Sequence, residues 1–228
     1  MGHSRDALSP NLTFKGLYVE PLIHELEAKN REAVMHPADA PRGLFDVDPT
    51  QTLVLLLDVK AEPAKTWPLL AQSLEPLRGR GWLTSVRGEK INTGPVTVVV
   101  TGKLPAYILE RGADGMNNPC DIFLDAPLST LGDSPFHTNN SYWASDSFAK
   151  KIGHVWLGRL HPGQIHRVRQ HVKEAHSRGL KVRYWGLPVW PLPLRDNVWK
   201  TLVQEGVDIV NVDDLTGVAE AWSELRAA

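Results

Sequence analysis

One arrangement recurs three times along the 228 residues: a helix-like segment ends at a glycine, and a short β-rich run follows at once. The three copies are "SLEPLRGRGWLTSV", "VKEAHSRGLKVRYW" and "LVQEGVDIVNV". Gly179, Gly206 and one glycine of the first copy can end a helix in the left-handed conformation that glycine adopts at little cost. In the first copy that residue is either Gly79 or Gly81. The arrangement predicts strands that alternate with helices, which is typical of a parallel sheet.

The predicted strands are short apolar runs. Most of them are apolar throughout rather than alternating, as expected of parallel strands that are covered on both faces. The predicted strands are 53–57, 82–86, 96–100, 122–124, 154–157, 181–185 and 207–212. The predicted helices are 17–29, 64–78, 104–111, 162–178, 194–205 and 214–226.

We predict an α/β fold in which these strands form a TIM-type (β/α) barrel in a single domain, residues 1–228. A doubly wound nucleotide-binding sheet is disfavoured because no predicted strand leads into G-x-G-x-x-G. The stretch "VTVVVTGK" lacks the earlier glycine of a phosphate loop and the Ser/Thr after Lys103. The runs supply about six of the eight strands that a TIM barrel requires. The predicted barrel is therefore incomplete, lacks about the first two strands, and leaves open edges at 53–57 and 207–212 for association with a partner.

Charge and hydropathy exclude two classes of partner. Lys and Arg number 25 and Asp and Glu 26, and no basic run stands out, so we expect no nucleic-acid binding. No stretch approaches the roughly 20 apolar residues that span a bilayer, so we expect a soluble chain without a transmembrane segment or a targeting signal. The sequence gives no compartment. The single cysteine, Cys120, excludes an internal disulfide.

Several polar residues follow the predicted strands directly. In both parallel architectures the loops after the carboxyl ends of the strands form the site. Carboxylates with one or two cations and an aromatic wall suit a divalent cation and an anionic substrate such as a phosphate ester. These strand ends carry Asp58, Lys60, Thr101, Asp125, Arg183, Trp185, Asp213 and Asp214.

Structural roles remain open for these residues. Asp58 and Lys60 lie on one face of a strand, and buried charges cost several kcal/mol unless they are paired or bound. They are therefore either a functional pair or a structural ion pair. Asp214 suits a helix N-cap, and Asp125 suits the turn before Pro127. Packing inside a barrel is an alternative for Arg183 and Trp185.

The loop "DAPLSTLGDSPFHTNNSYWAS" is polar and aromatic. We predict substrate contacts from Asn140, Ser141 and Tyr142, with surface turn residues as the alternative. A sugar, an inositol and a glycerol moiety are all compatible with this composition. His166, His171 and His176 recur every five residues on a predicted helix and do not share a face, so we interpret them as solvated helix residues rather than metal ligands.

Five blocks carry a resemblance to a known family. They are "GHSRDALSPNLTFKGLYVEPL", "LVLLLDVKAEPAKTWPLL", "FLDAPLSTL", "NNSYWASDSF" and "GLKVRYWGLPVWPLPLRDNVWKTLVQEGVDIVNVDDL". Together they resemble the fungal altered inheritance of mitochondria protein 6 family. That family is related to the phospholipase C-like and glycerophosphodiester phosphodiesterase-like superfamily, whose fold is a TIM-type barrel.

The resemblance implies residue roles. "GHSRDAL" makes His3 a general acid for the leaving alkoxide, and "LLLDVK" makes Asp58 a metal ligand and Lys60 a phosphate-facing cation. It implies a Mg2+ or Ca2+ ion that polarises the phosphoryl oxygen, and a substrate pocket walled by Trp185 with Arg183 nearby. The superfamily's first histidine and Glu-x-Asp have no counterpart before His3. We therefore expect an N-terminally truncated member with an incomplete metal site and impaired hydrolysis.

Three functions remain open from the sequence. The first is a phosphoric diester hydrolase that cleaves a lipid-headgroup or glycerophosphodiester substrate. The second is a pseudoenzyme that binds a ligand or a protein without catalysis. The third is an unrelated barrel lyase in which Lys60 forms an imine, which the neighbouring Asp58 disfavours because it keeps the ammonium protonated.

Overall fold

The computed structural model describes residues 8–31, 41–103, 120–132, 134–156 and 158–226. His3 and the predicted helix 104–111 lie outside the described residues. The chain divides into two units, Met1–Phe123 and Leu124–Ala228, and each is described by itself.

The first unit contains a parallel strand pair and a small hairpin. Strand β1, Leu53–Val59, pairs in parallel with β4, Val96–Gly102. Strands β2, Ser85–Arg87, and β3, Lys90–Asn92, form the antiparallel hairpin. A π-helical turn, Lys15–Val19, continues as α1, Glu20–Lys29, and β1 is followed by α2, Pro63–Ser73, and α3, Glu75–Arg78.

The second unit is built on parallel strands with helices between them. Strands β5, Ile122–Pro127, β6, Ser141–Ser147, β7, Lys181–Trp185, and β8, Ile209–Val210, pair in parallel in this order. A 3-10 turn, Leu128–Thr130, follows β5, and α4, Phe148–Lys151, follows β6. The longer helices are α5, Pro162–Ser177, α6, Leu192–Gln204, and α7, Leu215–Arg226.

The core of the second unit decides which side chains remain for a site. Apolar residues recur at helical spacing in α5 and α6, so that one stripe of each helix packs on the strands. The strand residues in that core include Ala126, Ala144, Val182 and Tyr184. Because successive strand residues point to opposite faces, the residues between them lie on the other face of the sheet.

The prediction of a mixed α/β fold with parallel strands is confirmed. The glycine prediction is also confirmed: Gly81, Gly179 and Gly206 follow helices with φ of 69°, 70° and 87°. One strand prediction holds in part and one is wrong. The run 82–86 forms a single parallel bridge to β4, Leu83 to Val96, and gives its last two residues to the antiparallel β2. Residues 154–156 form no strand.

Strand β6 is absent from the predicted strands. Its sequence, "SYWASDS", contains three serines and an aspartate, and we interpreted it as part of a loop. The structure uses Trp143 and Ala144 as buried residues of a central strand, with Ser141, Ser145 and Ser147 also buried. Small hydroxyl side chains fit a strand covered on both faces when partners are within reach, and periodicity in one sequence does not reveal those partners.

Candidate functional site

Asp58 and Lys60 meet at the carboxyl end of β1. The Lys60 Nζ lies 2.6 Å from Asp58 Oδ2, and the two side chains are 55% and 46% exposed. The ion pair that the structural alternative predicts is present, and both side chains are partly exposed. An exposed ion pair stabilises a fold by about 0–1 kcal/mol and loses little hydration. The fold therefore does not need a metal ion to compensate for burying these two charges. Both charges face solvent and can reach a ligand.

Gly102 on the neighbouring strand allows Asp58 to lie where it does. Asp58 pairs with Thr101 and Val59 with Gly102, whose φ is +86°. A Cβ atom on Gly102 would lie 2.7 Å from Asp58 Oδ1 and 2.5 Å from the Val59 carbonyl oxygen. The position of Gly102 directly after "VTVVVT" was the available signal, since glycine at a strand end often marks a close approach.

A second polar group lies in the second unit, on the face of β5–β8 opposite the helices. We call it the polar face, and it consists of Asp125, Trp143, Ser145, Arg183 and Asn211. Ser145 Oγ donates a hydrogen bond to Asp125 Oδ2 at 2.7 Å. Arg183 donates from Nη2 to Asn211 Oδ1, and its guanidinium carbon lies 5.4 Å from the centroid of the Trp143 ring.

The polar face pairs one cationic group, Arg183, with one carboxylate, Asp125. Burial lowers the pKa of Arg183, and the nearby Asp125 carboxylate opposes that shift. A guanidinium nevertheless remains charged at neutral pH. Trp143 is 4% exposed, and its indole Nε1 has no hydrogen-bond partner among the described residues. A partly buried cation therefore lies beside a buried donor that could serve an anionic oxygen.

Asn140 and Ser141, both predicted substrate contacts, are buried at the start of β6. The Asn140 amide nitrogen donates to the Pro135 carbonyl oxygen at 2.9 Å. Its Oδ1 accepts from the His137 amide at 2.9 Å and from Ser141 Oγ at 3.0 Å. These bonds shape the turn that leads into β6, so neither polar group faces solvent.

Tyr142 and Trp185 lie at opposite ends of the sheet. Tyr142 accepts a hydrogen bond from Lys181 Nζ at 2.6 Å, at the start of β7, whereas Trp185 ends β7 opposite Ser147. Four strand residues separate Lys181 from Trp185, a rise of about 13 Å. The structure therefore does not bring Tyr142 together with Trp185, which is 42% exposed at the carboxyl end.

Asp214 is a helix cap, as its structural alternative predicted. Its Oδ1 accepts from the Gly217 amide at 2.8 Å, and its Oδ2 accepts from Arg195 Nη1 at 2.6 Å. The Gly217 amide and then the Arg195 guanidinium hold the pKa of Asp214 below its usual range. Asp213 beside it is exposed.

Metal ligands are sparse in the described part of the chain. No group of three His, Cys, Asp or Glu side chains there is arranged to hold a metal ion. Asp58, the predicted ligand, is paired with Lys60, and His3 lies outside the described ranges. These residues alone do not fit a Mg2+ or Ca2+ ion, which takes about six or more oxygen ligands.

His171 on α5 forms a hydrogen bond with a buried tyrosine of β7. Its Nδ1 lies 2.8 Å from the hydroxyl of Tyr184, which is fully buried. Burial lowers the pKa of His171 and raises that of Tyr184, which favours the neutral form of both groups. The interpretation of His171 as a solvated residue is wrong. His176 likewise has a partner, with Nε2 2.8 Å from Asp208 Oδ2.

Within the ranges that the structure describes, every helix is too short or too polar to cross a bilayer.

The chain has an α/β fold with an acid-x-Lys pair at the carboxyl end of a parallel strand. The family comparison gives a phosphodiesterase-type domain as its class. Residues 1–125 match the family model described as an AIM6-like phosphodiesterase domain, and the chain belongs to this family. The resemblance found in the sequence is therefore confirmed.

The relatives carry one name. The chain is 36% identical to the altered inheritance of mitochondria protein 6 homolog of Arthroderma benhamiae, covering 94% of this chain and 68% of that protein. It is 33% identical to altered inheritance of mitochondria protein 6 of Eremothecium gossypii, over 96% of this chain. The Saccharomyces cerevisiae protein of that name is 31% identical over 94% of this chain. The chain spans 59% of the length of the last two relatives. No solved structure matches it.

Proposed function

We propose that the chain acts on a phosphodiester of the lipid-headgroup or glycerophosphodiester type, which it binds at the carboxyl end of β1. The observation that carries the proposal is the exposed Asp58–Lys60 pair, with 2.6 Å between the ammonium nitrogen and the carboxylate oxygen. The family match supports it, because residues 1–125 include both β1 and β4. In this proposal the strands belong to a TIM-type barrel, in which the carboxyl ends of the strands carry the chemistry.

Lys60 supplies the charge that a phosphodiester needs. Its ammonium has three donors, and Asp58 uses one of them. Two donors therefore remain for the non-bridging phosphoryl oxygens. A cation fixed beside these oxygens stabilises the negative charge that grows when a nucleophile attacks phosphorus. Asp58 limits the rotamers of Lys60 and so orients the ammonium before the substrate arrives.

The second unit, considered by itself, carries two further proposed ligand contacts. Arg183 is a phosphate or hydroxyl contact, supported by its partial burial and by the free indole donor of Trp143 among the described residues. Trp185 is an apolar contact for a ligand, supported by its 42% exposure at the end of β7. His3 is the proposed general acid.

A divalent cation enters the proposal with a single candidate ligand, Asp58. One carboxylate does not make a cation site, and we derive no step from the ion. The presence of only one candidate ligand among the described residues favours a second candidate function, in which the chain binds a phosphodiester and does not cleave it. The two functions share the role of Lys60 and differ in turnover.

The experiment measures binding and turnover separately. Glycerophosphocholine is titrated into the purified chain by calorimetry, and its cleavage is followed by phosphorus NMR with and without Mg2+ or Ca2+. Lys60→Met should weaken binding by about 10- to 100-fold, the usual cost of losing a charged hydrogen bond. Lys65→Met is the matched control, because Lys65 also pairs with a carboxylate, Glu62 Oε2 at 2.8 Å, on the exposed surface.

The outcomes separate the candidates. Cleavage that Lys60→Met and His3→Gln both abolish supports hydrolysis. Binding without cleavage in any buffer, weakened by Lys60→Met and unchanged by Lys65→Met, supports the binding function. Equal binding by Lys60→Met and wild type would refute the role of the Asp58–Lys60 pair in both candidate functions.

A further inference from the structure

Two loops of the second unit leave neighbouring strands at the same end of the sheet. The first, 152–161, follows α4 after β6, and the second, 186–191, follows β7. Ser147 at the end of β6 pairs with Trp185 at the end of β7. The Asn197 side chain on α6 donates a hydrogen bond to the Gly158 carbonyl at 2.5 Å, which ties the first loop to the helix after the second.

Each loop holds large apolar side chains in solvent. Trp156 on the first loop is 79% exposed, and Trp190 on the second is 78% exposed. Val189 and Leu192 beside Trp190 are 65% and 52% exposed. Single exposed apolar residues are ordinary, but a group of them on adjoining loops is typical of an interaction surface.

Buried residues fix the bases of these loops. Leu160 and Leu187 are 5% and 9% exposed and belong to the same hydrophobic core. Gln164 Nε2 also donates to the carbonyl oxygens of Ile152 and His154, which holds the start of the first loop against α5. The exposed tryptophans are therefore carried on anchored loops.

The charged residues around the first loop are all basic. From Phe148 to Lys173 the sequence contains no Asp or Glu, although the whole chain has a net charge of -1. This stretch contains six basic residues, Lys150, Lys151, Arg159, Arg167, Arg169 and Lys173. Arg169 is bound to Glu205, but none of the ion pairs among the described residues involves Lys150, Lys151, Arg159 or Arg167.

Two carboxylates on the second-loop side share one cation. Asp196 and Asp214 both bind the Arg195 guanidinium, at 2.7 Å and 2.6 Å, which leaves one negative charge against the basic residues of the first loop. A groove of about 820 Å³ opens beside the first loop, and the residues that line it include His154, Trp156, Arg159 and Arg167. The described lining contains no carboxylate.

We propose that this surface docks onto an anionic lipid bilayer. We call it the basic aromatic face, defined by Lys150, Lys151, Trp156, Arg159, Arg167, Val189, Trp190 and Leu192. The indole rings enter the headgroup region, where tryptophan is favoured, and the lysines and arginines lie against the negative surface. The groove receives one anionic headgroup. This inference goes beyond the proposed function and does not depend on hydrolysis.

The pattern of exposure favours a bilayer over nucleic acid. A polyanion would use the basic residues and could stack on Trp156. It would leave Val189 and Leu192 in water, because an aliphatic side chain has no counterpart on a phosphate backbone. A bilayer buries both kinds of side chain at once, since its interface joins charged headgroups to acyl chains.

The experiment uses the full chain and sedimentation with phosphatidylcholine vesicles that contain or lack 30% phosphatidylserine, at low and high salt. We expect binding to anionic vesicles, little binding to neutral ones, and loss of binding at high salt. Arg159→Gln with Arg167→Gln should weaken binding about 30-fold, as expected from two cations near an anionic surface. Arg87→Gln with Lys90→Gln, on the β2–β3 hairpin, is the charge-matched control and should bind as wild type.

A second pair of variants tests the aromatic part. Trp156→Ala with Trp190→Ala should weaken binding by at least about tenfold. Trp222→Ala, which removes another exposed tryptophan on α7, should leave it unchanged. In the wild type, brominated acyl chains in the vesicles should quench tryptophan fluorescence. This measurement uses no variant, so it does not depend on the stability of one.

Three results would overturn the proposal. They are equal sedimentation with neutral and anionic vesicles, absence of quenching by brominated lipid, and unchanged binding after loss of Trp156 and Trp190. Binding to duplex DNA or heparin that is tighter than binding to anionic vesicles would assign the surface to a polyanion instead.

Discussion

Replacing Gly102 with alanine tests how the Asp58–Lys60 pair is positioned. An added Cβ would lie 2.5 Å from the Val59 carbonyl oxygen and 2.7 Å from Asp58 Oδ1, whereas ordinary contacts begin near 3.4 Å. The Val59 carbonyl also accepts the Lys103 amide at 2.8 Å. The strand end must therefore move, and the carboxylate must turn away from its present position.

Two costs combine in Gly102→Ala. Its φ of +86° is unfavourable for alanine by about 1–2 kcal/mol, and relief of the overlap costs about 1–3 kcal/mol more. Gly88→Ala on the β2–β3 turn isolates the first cost, because Gly88 has φ of +60° and no atom within 4 Å of the added Cβ. We expect Gly102→Ala to lose about 1–3 kcal/mol more of the free energy of unfolding than Gly88→Ala.

Urea unfolding of the two variants measures this difference. Both glycines lie in the first unit, so the comparison concerns the same structural transition. With a slope near 3 kcal/mol per molar urea, the midpoint of Gly102→Ala should lie about 0.3–1 M below that of Gly88→Ala. Gly102→Ala should also weaken binding of glycerophosphocholine, whereas Gly88→Ala should not. Coincident midpoints together with unchanged binding would refute the close approach of Asp58 to β4.

Three further predictions concern buried polar groups. Thr97→Val keeps the shape of a fully buried side chain but removes the hydroxyl that bonds Thr52 and Thr84 at 2.8 Å and 2.7 Å. Urea unfolding should show that the free energy of unfolding falls by about 1–3 kcal/mol. An unchanged free energy of unfolding would contradict this prediction. Tyr184→Phe leaves Nδ1 of His171 without its hydrogen-bond partner and should cost about 1–2 kcal/mol in the same assay. Burial holds the pKa of His171 below 6.5, so the unfolded chain binds more protons than the folded chain below that pH. The free energy of unfolding should therefore fall as the pH decreases from 6.5 through the folded-state pKa. His171→Asn should flatten this dependence in unfolding curves measured from pH 5 to 8.

The parts that sequence predicted well are those set by local chemistry. Gly179 and Gly206 end helices because a left-handed residue is needed there, and Asp214 caps α7 because a short carboxylate reaches the next free amides. Alternation along β1 predicted that Asp58 and Lys60 share a face, and their contact agrees with it. Each of these inferences needs only neighbours within a few residues.

The parts that sequence predicted poorly depend on partners far along the chain. Strand β6 is polar in sequence and reads as a loop, but distant partners satisfy its side chains. Ser145 donates to Asp125 on β5, and Asp146 accepts from the Ser129 amide in the turn after β5. His171 was interpreted as solvated because Tyr184, its partner, lies 13 residues away on another element. Asn140 was interpreted as a ligand contact, but it bonds the turn that precedes β6.

The alternation of helices and strands, the family, and the acid-x-Lys pair can all be predicted from the amino-acid sequence, because periodicity, glycine positions and short motifs are local properties of a chain. The tertiary structure was needed to show that Asp58 and Lys60 are exposed rather than buried, that Gly102 makes room for the carboxylate, and that Trp156 and Trp190 are exposed on loops that follow neighbouring strands. Exposure and close approach depend on which elements pack together, and that information is distributed over the whole chain.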